Sequence, residues 1–340
     1  MDRILLGHGS GGRMMHDLIR DFFVPAFEMA ALDDAAVIQN SEFNSKLLTL
    51  NSKLCITTDS YVVDPIFFPG GDIGSLAING TVNDLCMVGA TPLFITASLI
   101  IEEGFEINDL KKILSSMQDA AKNADIRIVA GDTKVVNRGK ADKIFINTSG
   151  VGVIEEGVNI SGSGARAGDK IILSGQIGNH GIAVMSQREG FVFNPPVLSD
   201  TRPLTRLCSD MLSFTKEIHS MRDPTRGGLA TTLKEIASAS GVGILIHENL
   251  IPIDSSVRGA CDILGFDPMY VANEGILAAF VKADIAEALL DVMRKNPYAK
   301  DAVIIGEVTE AQKGTVLLQT AIGGKRIVDM LSGEQLPRIC

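Results

Sequence analysis

The chain has 340 residues, 46% of them hydrophobic, which is enough apolar material for the cores of two domains. A formal net charge of -10 argues against a nucleic-acid partner, because a phosphate-tracking surface needs a clustered basic excess. No apolar run approaches the roughly 18 residues of a membrane span, and Met1-Asp2-Arg3-Ile4-Leu5-Leu6 lacks the hydrophobic length of a signal peptide, so a soluble cytoplasmic protein without membrane contact is expected.

Gly7-His8-Gly9-Ser10-Gly11-Gly12 opens the chain and runs into an amphipathic helix predicted over Arg13 to Phe23. The glycines satisfy GxGxxG, with Asp33 and Asp34 downstream, but too few residues precede them for the leading strand of a dinucleotide fold. A glycine-rich phosphate cover is the better reading, and a disordered terminus is its rival. Phe43 to Val63 reads as a hairpin turning at Asn51-Ser52-Lys53, which leaves Asp59 at a strand end. Ser75 to Val88 is apolar on most helical faces yet carries Asn79, Asn83 and Asp84. Buried polar groups need partners, so these three either satisfy one another or face a ligand.

Leu93 to Ile101 is a predicted strand, followed by a helix marked by Leu110, Ile113, Leu114, Met117, Ala121 and Ala124. Arg127 to Ala130 is the next strand, expected to stop at Gly131-Asp132-Thr133-Lys134, and Ile144 to Ile154 closes the unit. The glycine-rich stretch from Gly157 to Gly168 is the predicted domain boundary. It divides the chain into domains at 1-156 and 157-331, followed by a flexible tail at 332-340.

In the second unit, strands are predicted at Lys170 to Leu173, Ile276 to Val281, Ala302 to Val308 and Thr315 to Leu318. Helices are predicted at Ile182 to Arg188, Pro203 to Ile218 and Gly228 to Ser240, with another marked by Ile285, Leu289 and Met293. Arg222-Asp223-Pro224-Thr225-Arg226-Gly227-Gly228 ends at a helix N-terminus, where free amides and the helix dipole can hold an anion. The tail offers a flexible lead at Ser332-Gly333-Glu334-Gln335, a stiff Pro337, and a nucleophilic sulfur at Cys340. Five cysteines without CxxC or zinc-ligand spacing are expected to be reduced thiols, with Cys340 outside the core.

Asp33, Asp34, Asp59, Asp84, Asp132 and Asp223 stand at loops, strand ends or an otherwise apolar helix. Any one of them reads as a cap or a turn residue. As a set they suit magnesium and polyphosphate, since Mg2+ takes oxygen ligands and phosphoryl transfer needs its charge neutralised.

Gly9-Ser10-Gly11-Gly12, Asp33-Asp34-Ala35-Ala36-Val37, Thr57-Thr58-Asp59, Val82-Asn83-Asp84-Leu85, Gly131-Asp132-Thr133 and Asp223-Pro224-Thr225-Arg226-Gly227-Gly228 occur in this order along nearly the whole chain. Together they resemble the ATP-binding superfamily of aminoimidazole ribonucleotide synthetase, thiamine monophosphate kinase and selenophosphate synthetase. Pro337-Arg338-Ile339-Cys340, with Gly131-Asp132-Thr133-Lys134 and Asn273-Glu274-Gly275, narrows the resemblance to the carbamoyl dehydratases of hydrogenase maturation.

The resemblance implies an α+β protein with two α/β-type domains of the aminoimidazole ribonucleotide synthetase-like fold, and a homodimer with ATP and Mg2+ near its interface. It implies ATP-dependent dehydration of an S-carbamoyl group on Cys340 to an S-cyano group, with the cyanide destined for the iron of a nickel-iron hydrogenase. The implied partners are the carbamoyltransferase HypF and the maturation proteins HypC and HypD. On this reading Cys340, Lys134 and Glu274 are catalytic. Gly9, Ser10, Gly11, Asp59, Asn83, Asp84, Asp132 and Asp223 bind the nucleotide, and Asp34, Asp59, Asp84, Asp132 and Asp223 serve the metal. Glu274 is the candidate base, while Lys134 either stabilises transferred charge or relays a proton. Two readings compete: a small-molecule kinase or synthetase of the same superfamily, and a nucleotide-sensing scaffold that binds partners without chemistry.

Overall fold

The computed structural model describes residues 12–24, 33, 35–38, 52–331, 336 and 338–340. The N-terminal helix α1 (Arg13–Leu18) continues as a π-helical turn over Ile19–Phe23. Strand β1 (Ala36–Ile38) pairs antiparallel with β2 (Lys53–Tyr61), with Ala36 opposite Ile56. Residues 43–51 of the expected hairpin lie outside the described residues, and β1 supplies the described partner of β2 on that side.

A two-stranded ribbon, β3 (Phe67–Phe68) with β4 (Gly71–Asp72), leads into α2 (Ile73–Met87). Asp72 starts this helix through a capping box: its carboxylate accepts from the N–H groups of Gly74 and Ser75, and the Ser75 side chain answers the Asp72 N–H. Helix α2 is buried nearly all round, as its apolar composition requires. It lies on a five-stranded sheet of order β1-β2-β7-β5-β6, built with β5 (Ala90–Glu102), β6 (Arg127–Val136) and β7 (Ile144–Ile154). A Cβ at Gly80 would strike the Tyr61 hydroxyl, so glycine sets how closely α2 approaches β2. Helix α3 (Ile107–Asn123) makes the crossover between the parallel strands β5 and β6 and packs beside α2. Leu85 of α2 is fully buried, and truncating such a leucine to alanine costs about 2–5 kcal/mol.

Strand β6 departs from the sequence expectation. It does not stop before Gly131 but runs through Gly131-Asp132-Thr133-Lys134, with Asp132 opposite Ser98 and Lys134 opposite Ile100. Continuous pairing with the long β5 outweighs the turn preference of glycine and aspartate. The strand is the sheet edge and is exposed from Arg127 to Val135.

The second unit centres on a seven-stranded sheet of order β14-β13-β10-β12-β8-β11-β9. Its strands are β8 (Lys170–Leu173), β9 (Ile218–Arg222), β10 (Gly243–His247), β11 (Ala278–Val281), β12 (Val303–Thr309), β13 (Val316–Gln319) and β14 (Lys325–Val328). The helices are α4 (Asn179–Glu189), α5 (Thr205–Phe214), α6 (Gly228–Ser240), α7 (Ser255–Leu264) and α8 (Ala286–Lys295). Strand β9 replaces the end of a helix expected to reach Ile218, because its backbone pairs with β11. Strands β10 and β14 and helix α7 are additions to the elements read from sequence. Among the described residues no helix is long and apolar enough to cross a membrane.

The end of the chain is packed inside. Residues 332–335 and Pro337 lie outside the described residues, but Arg338-Ile339-Cys340 runs against residues 62–64: Val62 N–H donates to the Cys340 carbonyl at 3.1 Å and Asp64 N–H to the Arg338 carbonyl at 3.2 Å. Ile339 and Cys340 are 2% and 7% exposed and belong to the main core cluster. The expectation that Cys340 stands outside the core is thereby corrected. The paired backbone removes the polar cost that would otherwise keep a chain end at the surface. All five cysteines are free thiols.

Candidate active site

A cavity of about 660 Å³ opens between the two units. Strand β2 brings Thr57, Thr58 and Asp59 to its wall, α2 brings Asp84, the loop after β9 brings Asp223 and Arg226, and Glu274 enters just ahead of β11. Cys340 lines the same cavity. Thr57 Oγ1 donates to the Asp84 carboxylate at 3.1 Å, and Asp59 accepts the Ser60 N–H at 2.7 Å.

Local chemistry fixes these side chains. Gly227 and Gly228 have φ of 79° and 63°, a left-handed turn open to glycine, and that turn carries the chain from Arg226 into α6. Asn273 ties the neighbouring loops together: its Nδ2 donates to the Pro224 carbonyl at 2.8 Å, and its Oδ1 accepts the Gly178 N–H at 2.6 Å. Asp200 accepts the N–H groups of Glu274 at 3.2 Å and Gly275 at 3.0 Å. A Cβ at Gly275 would collide with the Asp200 carbonyl, so this approach needs glycine.

The electrostatics are uneven. Burial, followed by the negative charges of Asp223, Asp200 and Asp59, pushes the Glu274 carboxyl well above its ordinary range, with Arg226 opposing. Glu274 Oε1 and Thr231 Oγ1, both in the cavity wall, are buried without a hydrogen-bond partner in the protein. Two such atoms facing one space are what a polar ligand satisfies. Burial also raises the Cys340 thiol to about 12 against the pull of Arg226. Arg226 is itself held above its ordinary value, first by charge on Cys340 and then by Asp59 and Glu274. With the thiol protonated at neutral pH, the carboxylates are the partners that matter to this guanidinium.

A second cluster lies along the same cavity. Arg222 pairs with Glu235 at 3.1 Å, His16 bonds the other oxygen of Glu235, and Asp33 accepts the Gly162 N–H at 2.7 Å. It links α1 to α6.

The structure brings together Asp59, Asp84, Asp223, Glu274 and Cys340. Gly9, Ser10, Gly11 and Asp34 lie outside the described residues. Asn83 does not line the cavity: its Nδ2 donates to the Arg202 carbonyl at 3.1 Å and its Oδ1 accepts the Leu204 N–H at 2.8 Å, a structural tie between α2 and the segment before α5. Asn79 likewise bonds Thr201 at 3.3 Å. Asp132 and Lys134 sit apart on β6, 2.8 Å from each other, with side chains 63% and 69% exposed. The Lys134 hydrogen bond holds the Asp132 carboxyl below its usual value. Sequence reading gave no role to Arg226, Thr231, Arg222, Glu235 or His16. For Arg226 the signal was present, since a cation beside paired glycines at a helix start is suited to an anion.

Residues 32–154 match the family described as AIR synthase related protein, N-terminal domain, and residues 166–319 match its C-terminal domain. The chain is 50% identical over 338 residues to the carbamoyl dehydratase HypE of Cupriavidus necator, spanning 99% of this chain and 95% of that protein. Among solved structures, a HypE-HypF complex aligns with a TM-score of 0.85 at 48% identity, covering 92% of this chain and 99% of that one. HypE in complex with ATP aligns with a TM-score of 0.83 at 46% identity, covering 99% and 100%.

Proposed function

We propose, from the premise that this chain belongs to the HypE carbamoyl dehydratase family, that it uses ATP to dehydrate an S-carbamoyl group on Cys340 to a thiocyanate. The observation that carries this reading is the placement of the Cys340 sulfur in one cavity with Asp59, Asp84, Asp223, Arg226 and Glu274.

An amide oxygen is a poor leaving group. Attack of the carbamoyl oxygen on the γ-phosphorus of ATP expels ADP, and loss of one nitrogen proton leaves an imidate phosphate. Loss of the second nitrogen proton, as the carbon–oxygen bond breaks, expels inorganic phosphate and forms the carbon–nitrogen triple bond. Atoms balance as thiocarbamate plus ATP giving thiocyanate, ADP, phosphate and one proton. Arg226 faces the charge that builds on the transferred phosphoryl oxygens. Glu274 accepts a nitrogen proton after releasing its own. Intact mass of the tail peptide, recorded before and after ATP is added to carbamoylated protein, should show the loss of one water. An unchanged mass, with phosphate appearing on a free small molecule, overturns the reading.

Magnesium fits the cavity by chemistry, because Asp59, Asp84 and Asp223 offer only oxygen donors. Among the described residues no three acidic, histidine or cysteine side chains converge to hold a metal by themselves, so phosphate oxygens would complete its shell. Its chemistry there is to neutralise phosphate charge. Asp84→Asn should lower magnesium-dependent ATP turnover by about 10-fold or more while thermal unfolding stays near that of the parent. Full turnover in the variant removes Asp84 from the phosphate site.

In this reading the domains divide at 157–168, HypF loads Cys340, and HypC and HypD carry the cyano group onward toward hydrogenase iron in the cytoplasm. The protein works as a homodimer. The outer face of the five-stranded sheet exposes Ile56, Phe94 and Ile100, each 36–43% accessible, beside the open edge of β6, an apolar surface of the kind that marks an interface. Lys134 and Asp132 reach the chemistry only through such pairing, because in one chain they stand outside the cavity. Ile100→Lys should convert a dimer to a monomer in sedimentation velocity. A parent protein that sediments as a monomer overturns the pairing.

A further inference from the structure

Helix α4 makes contacts with the tail that the chemistry above does not use. Each backbone carbonyl of Arg338-Ile339-Cys340 meets a donor. Arg338 O accepts the Asp64 N–H at 3.2 Å and Arg188 Nη2 at 2.9 Å, Ile339 O accepts His180 Nε2 at 2.8 Å, and Cys340 O accepts the Val62 N–H at 3.1 Å. Arg188 Nε also donates to the Asp64 carbonyl at 2.8 Å, so one guanidinium grips both the tail and the segment it lies against.

His180 is fully buried, and burial lowers its pKa, which keeps the imidazole neutral. The Ile339 carbonyl can only accept, which fixes the tautomer: Nδ1 is the bare nitrogen and accepts from Ser199 Oγ at 2.8 Å, a hydroxyl that also takes the Thr201 N–H at 3.1 Å. Nε2 therefore carries the proton and points it at the Ile339 carbonyl. The Phe68 ring stands edge-on to the imidazole, with centroids 5.3 Å apart, and packs against it. These two side chains read the main chain of the tail. Arg338 adds the side-chain anchor, donating from Nε to the Val62 carbonyl at 2.9 Å and pairing with Asp142.

We propose that His180 and Arg188 are positioning residues, which hold the tail so that the group on Cys340 stays in the cavity through dehydration. The proposal rests on the reading that Cys340 carries the reacting group. Its consequence is a division of the catalytic cycle. A cysteine only 7% exposed does not present its thiol to a second protein, so loading needs the tail released and dehydration needs it docked. Weakening the dock therefore moves the two half-reactions in opposite directions, whereas general damage to the fold slows both.

The test uses the full chain with His180→Leu, His180→Gln and Arg188→Met. The amide nitrogen of glutamine lies near the place of Nε2 and restores a donor. Loss of one buried hydrogen bond shifts a docking equilibrium by up to about tenfold. His180→Leu and Arg188→Met should thus label at Cys340 with a maleimide up to about tenfold faster without ATP. In single turnover from carbamoylated protein, both should form thiocyanate more slowly, the fold-rise in labelling and the fold-fall in dehydration multiplying to about tenfold for one docking equilibrium, with ATP binding by equilibrium dialysis unchanged. His180→Gln should return both rates toward the parent. If labelling and dehydration match the parent in both His180→Leu and Arg188→Met, the positioning role is overturned while the Cys340 chemistry stands. If the variants slow both half-reactions and lose ATP binding, the role is structural and the proposal is equally overturned. A parent protein that forms no thiocyanate refutes the reading of Cys340 itself, and the positioning role falls with it.

Discussion

Replacing Cys340 with alanine should abolish carbamoyl acceptance and thiocyanate formation while leaving the fold and ATP binding in place. The substitution removes one sulfur from a site where the tail is held chiefly by backbone carbonyls and by the buried Ile339 side chain, so docking survives it. The chemistry should not, because in the proposed mechanism the sulfur is the atom that carries the carbamoyl group. Its ionisation also sets when loading occurs. A free thiol has a pKa of about 8.5, but burial raises the docked Cys340 to about 12. The docked state thus favours the protonated, unreactive thiol. The stability that docking draws from this group is complete below about pH 8.5 and is lost as pH rises toward about 12. Loading therefore draws on the released tail. After loading, the thiocarbamate is neutral and can follow the tail inward, where tethering replaces a bimolecular encounter with a local one. The decisive assay supplies the carbamoyltransferase, carbamoyl phosphate and ATP, then maps modification by peptide mass. The other four thiols are buried, with Cys55 raised to about 12 and Cys261 to about 11. Carbamoylation at one of them, with activity surviving in Cys340→Ala, overturns the tethered-substrate mechanism.

What the sequence could reveal depended on how local the cause was. Strand β7 at Ile144–Ile154 and helix α6 at Gly228–Ser240 stand where periodicity placed them, because each is fixed by its own alternation and by flanking glycines. Asp59, Asp84 and Asp223 meet in one cavity although they lie far apart in the chain, and their placement at a strand end, on an otherwise apolar helix and in a loop before a helix was visible. Asn83 shows the limit. A buried amide on an apolar helix reads equally as a ligand contact or as a structural tie, and the choice was made by the Arg202 carbonyl and the Leu204 N–H, more than a hundred residues away. Lys134 shows a different limit. Gly131 and Asp132 look like a turn until β5 pairs with them, and the resulting edge strand carries the lysine away from the cavity of its own chain. The burial of Cys340 was beyond sequence altogether, since it depends on donors from residues 62–64 and from α4.

Glu274→Gln should lower thiocyanate formation by about 10²–10⁴-fold while retaining ATP binding, and it should also make the protein more stable at neutral and mildly alkaline pH. Both effects come from one cause. Burial and the nearby charges of Asp223, Asp200 and Asp59 raise the folded-state pKa of Glu274 well above its ordinary value, whereas the unfolded chain ionises near about 4.3. The folded protein therefore holds a proton that the unfolded chain has released. The contribution of this group to stability is complete below about pH 4.3 and is lost as pH rises through the raised folded value. Glutamine carries no charge at any pH, so the stability gained by the substitution should be small near pH 5 and should grow toward pH 8. The unpartnered Oε1 faces the space where the thiocarbamate would sit, and a buried carboxyl whose pKa is raised above its ordinary range is a stronger base once ionised, which suits it to take the nitrogen protons. In the parent, single-turnover dehydration should rise with pH as Glu274 ionises, and in the variant it should be flat. Thermal unfolding across pH 5–8 and tail-peptide mass, measured on the same preparations, check both halves. Normal thiocyanate yield from Glu274→Gln removes it from the mechanism, and a stability difference that does not change with pH removes the buried-acid explanation.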